Sequence, residues 1–310
     1  MGKSKQIFGR CLEVAFALLL LVLIVINIKL YFEYKDKYES KLKEKEQYIS
    51  DIDSLKTINE YNNEEIKKLR LQYENIDEQI KIKKEEFFKK AKELENKILN
   101  NQSNKKIVYL TFDDGPYINT TPLVLDILEK NNILATFFLL GKVGDQISKI
   151  YEMEYKNCHT LANHTYTHKI SRTNGIYVSV DTFIDAVKRE ENFLSDKFDG
   201  YKTNIVRFPG GSNTAGKLKE GIKKELYKMN YGWVDWDLGT GDGNGSDKNN
   251  PDIAFKNIFN NLGDKKIVVI LMHDYSRITI KALPKIIEEF KNRDFIFLPL
   301  FYDSVKVNKN

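Results

Sequence analysis

The chain has 310 residues, a hydrophobic content of 42% and a net charge of +5 from 49 basic and 44 acidic residues. This composition permits a core of good size in one or two domains. No basic block is interleaved with aromatic residues, so a nucleic-acid partner is not indicated. The two cysteines, Cys11 and Cys158, lie in very different regions, which argues against a disulfide framework.

A long apolar stretch lies near the N-terminus. Residues 8–32 contain a segment long enough to span a bilayer, and Lys3, Lys5 and Arg10 favour a cytoplasmic N-terminus with the remainder outside. A cleaved signal peptide is the alternative, but no small-x-small cleavage site follows the apolar core. We therefore predict that residues 1–32 are a cytoplasmic N-terminus and an uncleaved, single-pass membrane anchor.

Residues 33–104 have the composition of one long helix. They lack Gly and Pro and are rich in Lys, Glu, Ile, Leu, Asn and Tyr. Between residues 66 and 94, apolar and aromatic residues recur in alternating steps of three and four, which is typical of a coiled-coil seam. Several seam positions are polar, so a solvated spacer helix and a dimerising coil both remain open. In either case we expect a helical stalk.

The next segment, residues 105–304, alternates between short apolar runs and amphipathic stretches. The pattern predicts strands at 107–112, 135–140, 205–208, 232–237, 267–272 and 295–300, and helices at 123–131, 182–197, 218–229, 254–261 and 282–292. This order predicts an α/β fold with a mostly parallel sheet, open or rolled into a barrel. Functional groups should then gather at the carboxyl ends of the strands. Residues 305–310 are left as a C-terminal tail.

Two adjacent carboxylates, Asp113 and Asp114, end the first predicted strand, in the sequence TFDDGP at 111–116. Neighbouring strand residues point to opposite sides, so the two need not share one role. One can bind a metal while the other stays free as a base. A solvated turn is the alternative interpretation.

Two of the four histidines, His164 and His168, are four residues apart in the sequence HTYTH. A helical or turn-like backbone lets such a pair face one centre. Imidazole nitrogens suit Zn²⁺, and a carboxylate could be the third ligand. Two unrelated surface histidines are the alternative.

Arg207 ends a short apolar strand in the sequence RFPGG, at 207–211. A charged guanidinium in that position needs an anionic partner. Gly210 and Gly211 allow backbone N–H groups to approach a ligand closely, as an oxyanion hole requires. A plain turn beside a surface arginine is the alternative.

Two further elements end in polar side chains. On the predicted strand 232–237, alternation places Asp235 and Asp237 on one face and Trp236 on the other. An inward Asp235 needs a partner, whereas an exposed strand face needs none. His273 ends a buried strand in the sequence LMHD, where a general acid is expected, although a hydrogen-bonded core histidine would look the same.

Together these segments resemble the polysaccharide deacetylase family, the carbohydrate esterases that share the NodB homology domain. The resemblance covers about residues 105–304 and rests on five motifs in family order: TFDDGP, HTYTH, RFPGG, DW and LMHD. It implies a distorted (β/α) barrel with fewer regular strands than the eight-stranded form. The family's metal triad matches Asp114, His164 and His168. Its catalytic base matches Asp113, and Arg207 would orient that base.

The resemblance assigns the remaining motif residues as well. Asp235 would tune His273, the general acid. Leu271 and Trp236 would line the pocket for the acetyl methyl group, and the N–H near Gly210 would help to hold the oxyanion. Many relatives have Tyr at the position of Gly210, so any substrate contact of that ring is lost here. The glycine-rich segment after Trp236 is a rim loop or a plain linker.

The implied reaction is hydrolytic removal of N-acetyl groups, with Zn²⁺ as the expected metal and Co²⁺ or another transition ion as alternatives. An outer domain on a membrane-bound stalk would meet cell-wall glycan, so we expect peptidoglycan N-acetylglucosamine as substrate. N-acetylmuramic acid and other surface polysaccharides are alternatives. A non-catalytic glycan-binding envelope protein is a rival from another class, but none of the motif residues expected of an enzyme is missing.

Overall fold

The computed structural model describes residues 82–244 and 250–309, together with Lys35, Tyr38 and Lys41. The predicted membrane anchor and most of the predicted stalk lie outside the described residues. Residues 82–99, at the end of that stalk, are helical. Among the described helices, none is long and apolar enough to cross a bilayer.

The chain divides into two compact units, Met1–Leu94 and Glu95–Asn310. In its described residues, the second unit contains eight strands: β1 (Lys106–Gly115), β2 (Thr136–Leu139), β3 (Thr160–Asn163), β4 (Ile205–Val206), β5 (Gly232–Trp233), β6 (Leu238–Gly239), β7 (Ile267–His273) and β8 (Phe295–Phe297). Its α-helices are α1 (Thr121–Lys130), α2 (Asp145–Lys156), α3 (Val180–Lys197), α4 (Lys219–Lys228), α5 (Pro251–Leu262) and α6 (Arg277–Asn292).

All strand pairings in this sheet are parallel, in the order β5-β4-β3-β2-β1-β7-β6, and β8 pairs with the first residues of β1. Within the described residues β5 and β6 end this order, so the sheet is a parallel half-barrel. This confirms the predicted α/β fold and its distorted barrel. Because the strands are parallel, their carboxyl ends share one edge, where β1, β3, β4 and β7 carry the sequence motifs.

The strands and helices enclose one main apolar core. Phe112 on β1 stacks on Phe137 of β2 with ring centroids 5.0 Å apart, and both side chains are fully buried. Helix α6 begins where the side chain of Ser276 accepts a hydrogen bond from the N–H of Thr279. Its buried positions recur at helical spacing and face the sheet: Ala282, Leu283, Ile286, Ile287 and Phe290.

The prediction of one strand at 232–237 is wrong. The chain leaves the sheet after Trp233 and re-enters it at Leu238, on the opposite edge. The N–H of Val234 donates to Val206 O of β4 (3.0 Å), whereas the N–H of Asp237 donates to Val269 O of β7 (2.9 Å). The segment between β5 and β6 therefore crosses the open side of the half-barrel, so its side chains do not alternate as they would on a strand.

The second unit extends beyond the predicted boundaries of 105 and 304. Glu95 is fully buried, accepts a hydrogen bond from the hydroxyl of Tyr109, and accepts another from the N–H of Val305 (3.1 Å). Near the C-terminus, Trp233 and Asn308 exchange two backbone hydrogen bonds of 3.0 and 2.8 Å. Glu95, from the predicted stalk, and Asn308, from the predicted tail, are therefore both hydrogen-bonded to the rest of this unit.

Replacement of Glu95 by alanine should lower the free energy of unfolding by about 1–3 kcal/mol, because the buried Tyr109 hydroxyl and Val305 N–H lose their acceptor. Urea unfolding measures this difference. Glu93→Ala, at an exposed position two residues away, is the matched control and should leave stability within about 0.5 kcal/mol. Equal stability of the Glu95 variant would show that this contact is not needed for the fold.

Candidate active site

Three of the predicted ligands lie together at the carboxyl edge of the sheet. The Oδ1 of Asp114, at the end of β1, lies 3.5 Å from Nε2 of His164 and 3.3 Å from Nε2 of His168. One ligand atom from each residue fits within a 4.8 Å cluster. The structure thus brings the carboxylate and the histidine pair into one candidate metal site.

The donor set fits a divalent transition metal. Asp114 Oδ1 is buried and has no hydrogen-bond partner among the described residues. His164 Nδ1 lies 2.8 Å from the carbonyl oxygen of Arg207. When Nδ1 carries the proton and donates to this oxygen, Nε2 is unprotonated and can bind a metal. Burial lowers the pKa of His164 to about 3, so its imidazole is neutral near pH 7. One carboxylate and two imidazole nitrogens are a common ligand set for zinc.

The turn that follows β2 contacts both the segment that carries the two histidines and Asp114. The N–H of Gly141 donates to Tyr166 O (3.1 Å), between the two histidines. A Cβ at Gly141 would lie 2.0 Å from the Tyr166 ring, so this close approach needs glycine. The ammonium of Lys142 donates to Asp114 O (2.6 Å) and to Pro116 O (3.1 Å). Lys142 was absent from the sequence-based site, since no motif marks it.

The carboxylate of Asp113 lies between this triad and Arg207. Its Oδ1 accepts a 2.8 Å hydrogen bond from Arg207 Nη1, and both side chains are almost wholly buried. The predicted pairing of Arg207 with Asp113 is therefore present. Burial raises the pKa of Asp113, and the guanidinium opposes this rise. Since Asp113 Oδ2 is 3.6 Å from His164 Nε2, a free carboxylate oxygen borders the candidate metal site.

The guanidinium of Arg207 has further partners. It donates to Thr111 Oγ1 (2.7 Å), to Val234 O (3.2 Å) and to Asp235 O (3.3 Å). It also lies 4.1 Å from the ring centroid of Phe138. These contacts tie β1, β4 and the crossing segment together, and they satisfy a charge that burial would otherwise make costly.

The expected partner of His273 must be corrected. The carboxylate of Asp235 accepts hydrogen bonds from the N–H (2.9 Å) and hydroxyl (2.6 Å) of Ser212. Asp242 instead lies 2.8 Å from His273 Nδ1 and accepts a bond from the His273 N–H (2.9 Å). The crossing segment explains the difference, because Asp235 faces the Gly210–Gly211 turn while Asp242 reaches β7.

Asp242 makes His273 a strong candidate for a proton donor. Burial alone would lower the pKa of His273, but the hydrogen bond and charge of Asp242, with the charges of Asp113 and Asp114, raise it to about 9. His273 is therefore protonated near pH 7. Its Nε2 lies 3.8 Å from Asp114 Oδ2, and the β1–β7 register pairs its Cα with that of Asp113.

The residues predicted to contact substrate lie on the open side of this centre. Trp236 is 37% exposed, and its Cδ1 and the Cβ of Leu271 lie 4.0 and 3.6 Å from the position a Cβ would take on Gly239. Gly210 and Gly211 have φ values of +72° and +84°, which favour glycine. A Cβ at Gly211 would approach the Trp236 ring to 3.0 Å. Without side chains, the two glycines allow the Trp236 ring to lie close to the backbone of this turn.

A candidate metal triad, flanked by a buried carboxylate and a protonated histidine, suits the activation of water in metal-assisted hydrolysis. On a parallel α/β half-barrel, this arrangement defines a hydrolase.

Comparisons with known proteins define the family. Residues 100–228 match the model of the polysaccharide deacetylase family. A peptidoglycan-N-acetylglucosamine deacetylase of Bacillus cereus is 31% identical over 212 residues, which cover 66% of this chain and 72% of that protein. The chain belongs to the polysaccharide deacetylase family.

Solved structures show the same relationship. The catalytic domain of a peptidoglycan N-acetylglucosamine deacetylase from Eubacterium rectale superposes with a TM-score of 0.60 at 29% identity, over 67% of this chain and 94% of that one. A CE4 esterase of Streptococcus mutans gives a TM-score of 0.59 at 30% identity, over 67% and 90% of the two chains.

The Asp242–His273 contact can be tested by NMR titration of labelled histidine. In Asp242→Asn, the pKa of His273 should fall from about 9 toward or below its ordinary value of 6.5, because the hydrogen-bonded carboxylate that opposes the effect of burial is lost. Asp235→Asn is the matched control and should leave this pKa in place. A fall in the control alone would restore the pairing predicted from the sequence.

Proposed function

We propose that this chain is a metal-dependent N-deacetylase of cell-wall glycan, with peptidoglycan N-acetylglucosamine as its substrate and acetate as a product. The observation that carries the proposal is the division of the Asp113–Asp114 pair: Asp114 faces two histidines, and Asp113 faces Arg207. The Bacillus cereus and Eubacterium rectale relatives are both peptidoglycan N-acetylglucosamine deacetylases, which supports this choice of substrate.

Asp114, His164 and His168 would hold the metal, with Zn²⁺ as our first choice and Co²⁺ as an alternative. When bound, the ion supplies a Lewis acid for the acetyl carbonyl and lowers the pKa of water. Asp113 acts as the base that removes a proton from the attacking water. Its raised pKa makes it a stronger base than an exposed carboxylate, while Arg207 fixes the orientation of its Oδ1.

The departing amine needs a proton, which His273 can donate because Asp242 keeps it protonated. The N–H of Gly210 has no hydrogen-bond partner within the described residues, whereas the N–H of Gly211 closes the turn onto Phe208 O (2.8 Å). Gly210 is thus the backbone group available to stabilise the negative charge that develops on the carbonyl oxygen.

The different roles proposed for Asp114 and Asp113 predict different effects of replacing them. Asp114→Ala should abolish zinc binding and acetate release together, because it removes a ligand. Asp113→Asn should still bind zinc but should lose about 10²-fold or more in kcat, the usual contribution of general-base catalysis. Calorimetry with zinc and acetate release from N-acetylglucosamine oligomers and peptidoglycan are the two measurements.

Asp126→Asn, at an exposed ion pair with Lys130 on α1, is the control and should change neither quantity. Equal zinc affinity in both site variants would refute the assigned roles. If zinc-loaded wild-type protein released no acetate from any of these substrates, the chain would be a glycan-binding protein instead.

We also propose that the enzyme is a single-pass membrane protein with its catalytic domain outside the cytoplasm, supported by the apolar stretch at 8–32 and the basic residues before it. The proposed stalk positions the domain near the wall and can dimerise. Deletion of residues 1–32 should move the protein from the membrane fraction to the soluble fraction of cells.

In intact cells, loss of the gene should remove de-N-acetylated glucosamine from muropeptides analysed by mass spectrometry. Loss of deacetylated muramic acid instead would identify the alternative sugar.

If the protein without residues 1–32 stayed in the membrane fraction, the proposed anchor would be excluded.

A further inference from the structure

Two tyrosines outside the proposed reaction lie beside His273. The ring of Tyr275 packs against the His273 ring with centroids 5.0 Å apart, and the ring of Tyr117 meets Tyr275 edge to face at 5.3 Å. Both side chains are half-buried. This tyrosine pair, Tyr117 and Tyr275, therefore lines one side of the site.

Contacts with residues around the site fix the position of the tyrosine pair. The ammonium of Lys142 lies 3.3 Å from the centroid of the Tyr117 ring, while the Tyr117 N–H donates to Thr121 Oγ1 (2.7 Å). Tyr275 lies between the fully buried Asp274 and Ser276, which caps α6. Since neighbours on both sides are fixed, the two rings are pre-organised and would cost little conformational entropy on binding.

The hydroxyl groups of the pair are available to a ligand. Neither has a hydrogen-bond partner within the part of the chain that the structure describes. Burial raises the pKa of Tyr117 to about 12, so its hydroxyl is protonated and neutral near pH 7. Each half-buried ring therefore keeps an exposed part and one polar group, which can donate or accept a hydrogen bond.

A sugar is the ligand that matches these features. A pyranose ring has an apolar C–H face, which packs on an aromatic ring, and a rim of hydroxyls, which pair with phenolic oxygens. The reacting acetamido group must lie between Asp113 and His273. A tyrosine ring packed against the side of His273 is thus placed to contact the part of the glycan next to the reacting sugar.

We propose that the tyrosine pair is a binding subsite for the sugar residue next to the one that is deacetylated, so that the enzyme acts on glycan strands in preference to single sugars. This inference rests on the proposed function. It adds a specificity determinant to the site, on residues that are not assigned as metal ligand, base or acid.

The test uses Tyr275→Leu and Tyr117→Leu, with Tyr275→Phe to remove the hydroxyl alone. Acetate release is measured on N-acetylglucosamine oligomers of increasing length. For wild-type protein kcat/KM should rise with length. The leucine variants should lose about three- to tenfold in kcat/KM on the tetramer, mainly through KM, and should match wild type on the shortest oligomer turned over. Tyr302→Leu, at a tyrosine bonded to Asn230, is the control and should behave as wild type.

Affinity for the tetramer is measured separately by calorimetry in an Asp113→Asn background, so that the result does not depend on turnover. Tetramer affinity that is unchanged in both leucine variants, or a loss of activity equal at every length, would overturn the subsite. Tyr275→Phe should keep part of the affinity, which a misfolded variant would not do. If wild-type protein bound the tetramer but released no acetate, the proposed function would be contradicted, whereas glycan binding by the tyrosine pair would still be supported.

Discussion

The buried guanidinium of Arg207 is the constraint on which the site depends. A charge with no solvent exposure must find partners inside the protein, and removal of one partner would leave an uncompensated ion. Its side chain holds Asp113 and the crossing segment through Val234 O and Asp235 O, while its own carbonyl lies 2.8 Å from His164 Nδ1. The same residue therefore orients the proposed base and one of the proposed metal ligands.

The crossing segment between β5 and β6 follows from this constraint. Its carbonyl groups accept from Arg207 on the β4 side, and Asp237 then bonds to β7 on the other side. Because the chain spans the open face of the half-barrel, Asp242 is brought to His273 on β7. A continuous strand at 232–237 would have kept these residues on the β5 edge. The segment that closes the rim of the site thus also gives the proposed proton donor its carboxylate partner.

These contacts show what the sequence could predict. The ends of β1, β4 and β7 were predictable, because apolar runs stop at Asp113, Arg207 and His273 and parallel strands share one edge. Residue types and spacing predicted a histidine pair with a carboxylate as third ligand, and the family resemblance assigned Asp114 to that place. The partner of His273 did not, since Asp242 lies in a glycine-rich segment with no periodic pattern. Alternation assigned Asp235 to a strand that tertiary hydrogen bonds interrupt. Lys142 lacks any local signal, because its role arises only when the turn after β2 meets the end of β1.

Three titratable groups within one small site have different protonation states, and their partners explain why. His164 and His273 are both largely buried, which disfavours the imidazolium in each. At His164 the backbone carbonyl and Asp114 do not outweigh burial, so the ring stays neutral and can bind a cation. At His273 the bonded carboxylate of Asp242 outweighs burial, so the ring stays charged and can donate a proton. Asp113, with its pKa raised by burial and restrained by Arg207, stands between them as an acceptor. Burial acts on all three groups, so the difference between the proposed ligand, acid and base comes from the partners that each side chain contacts.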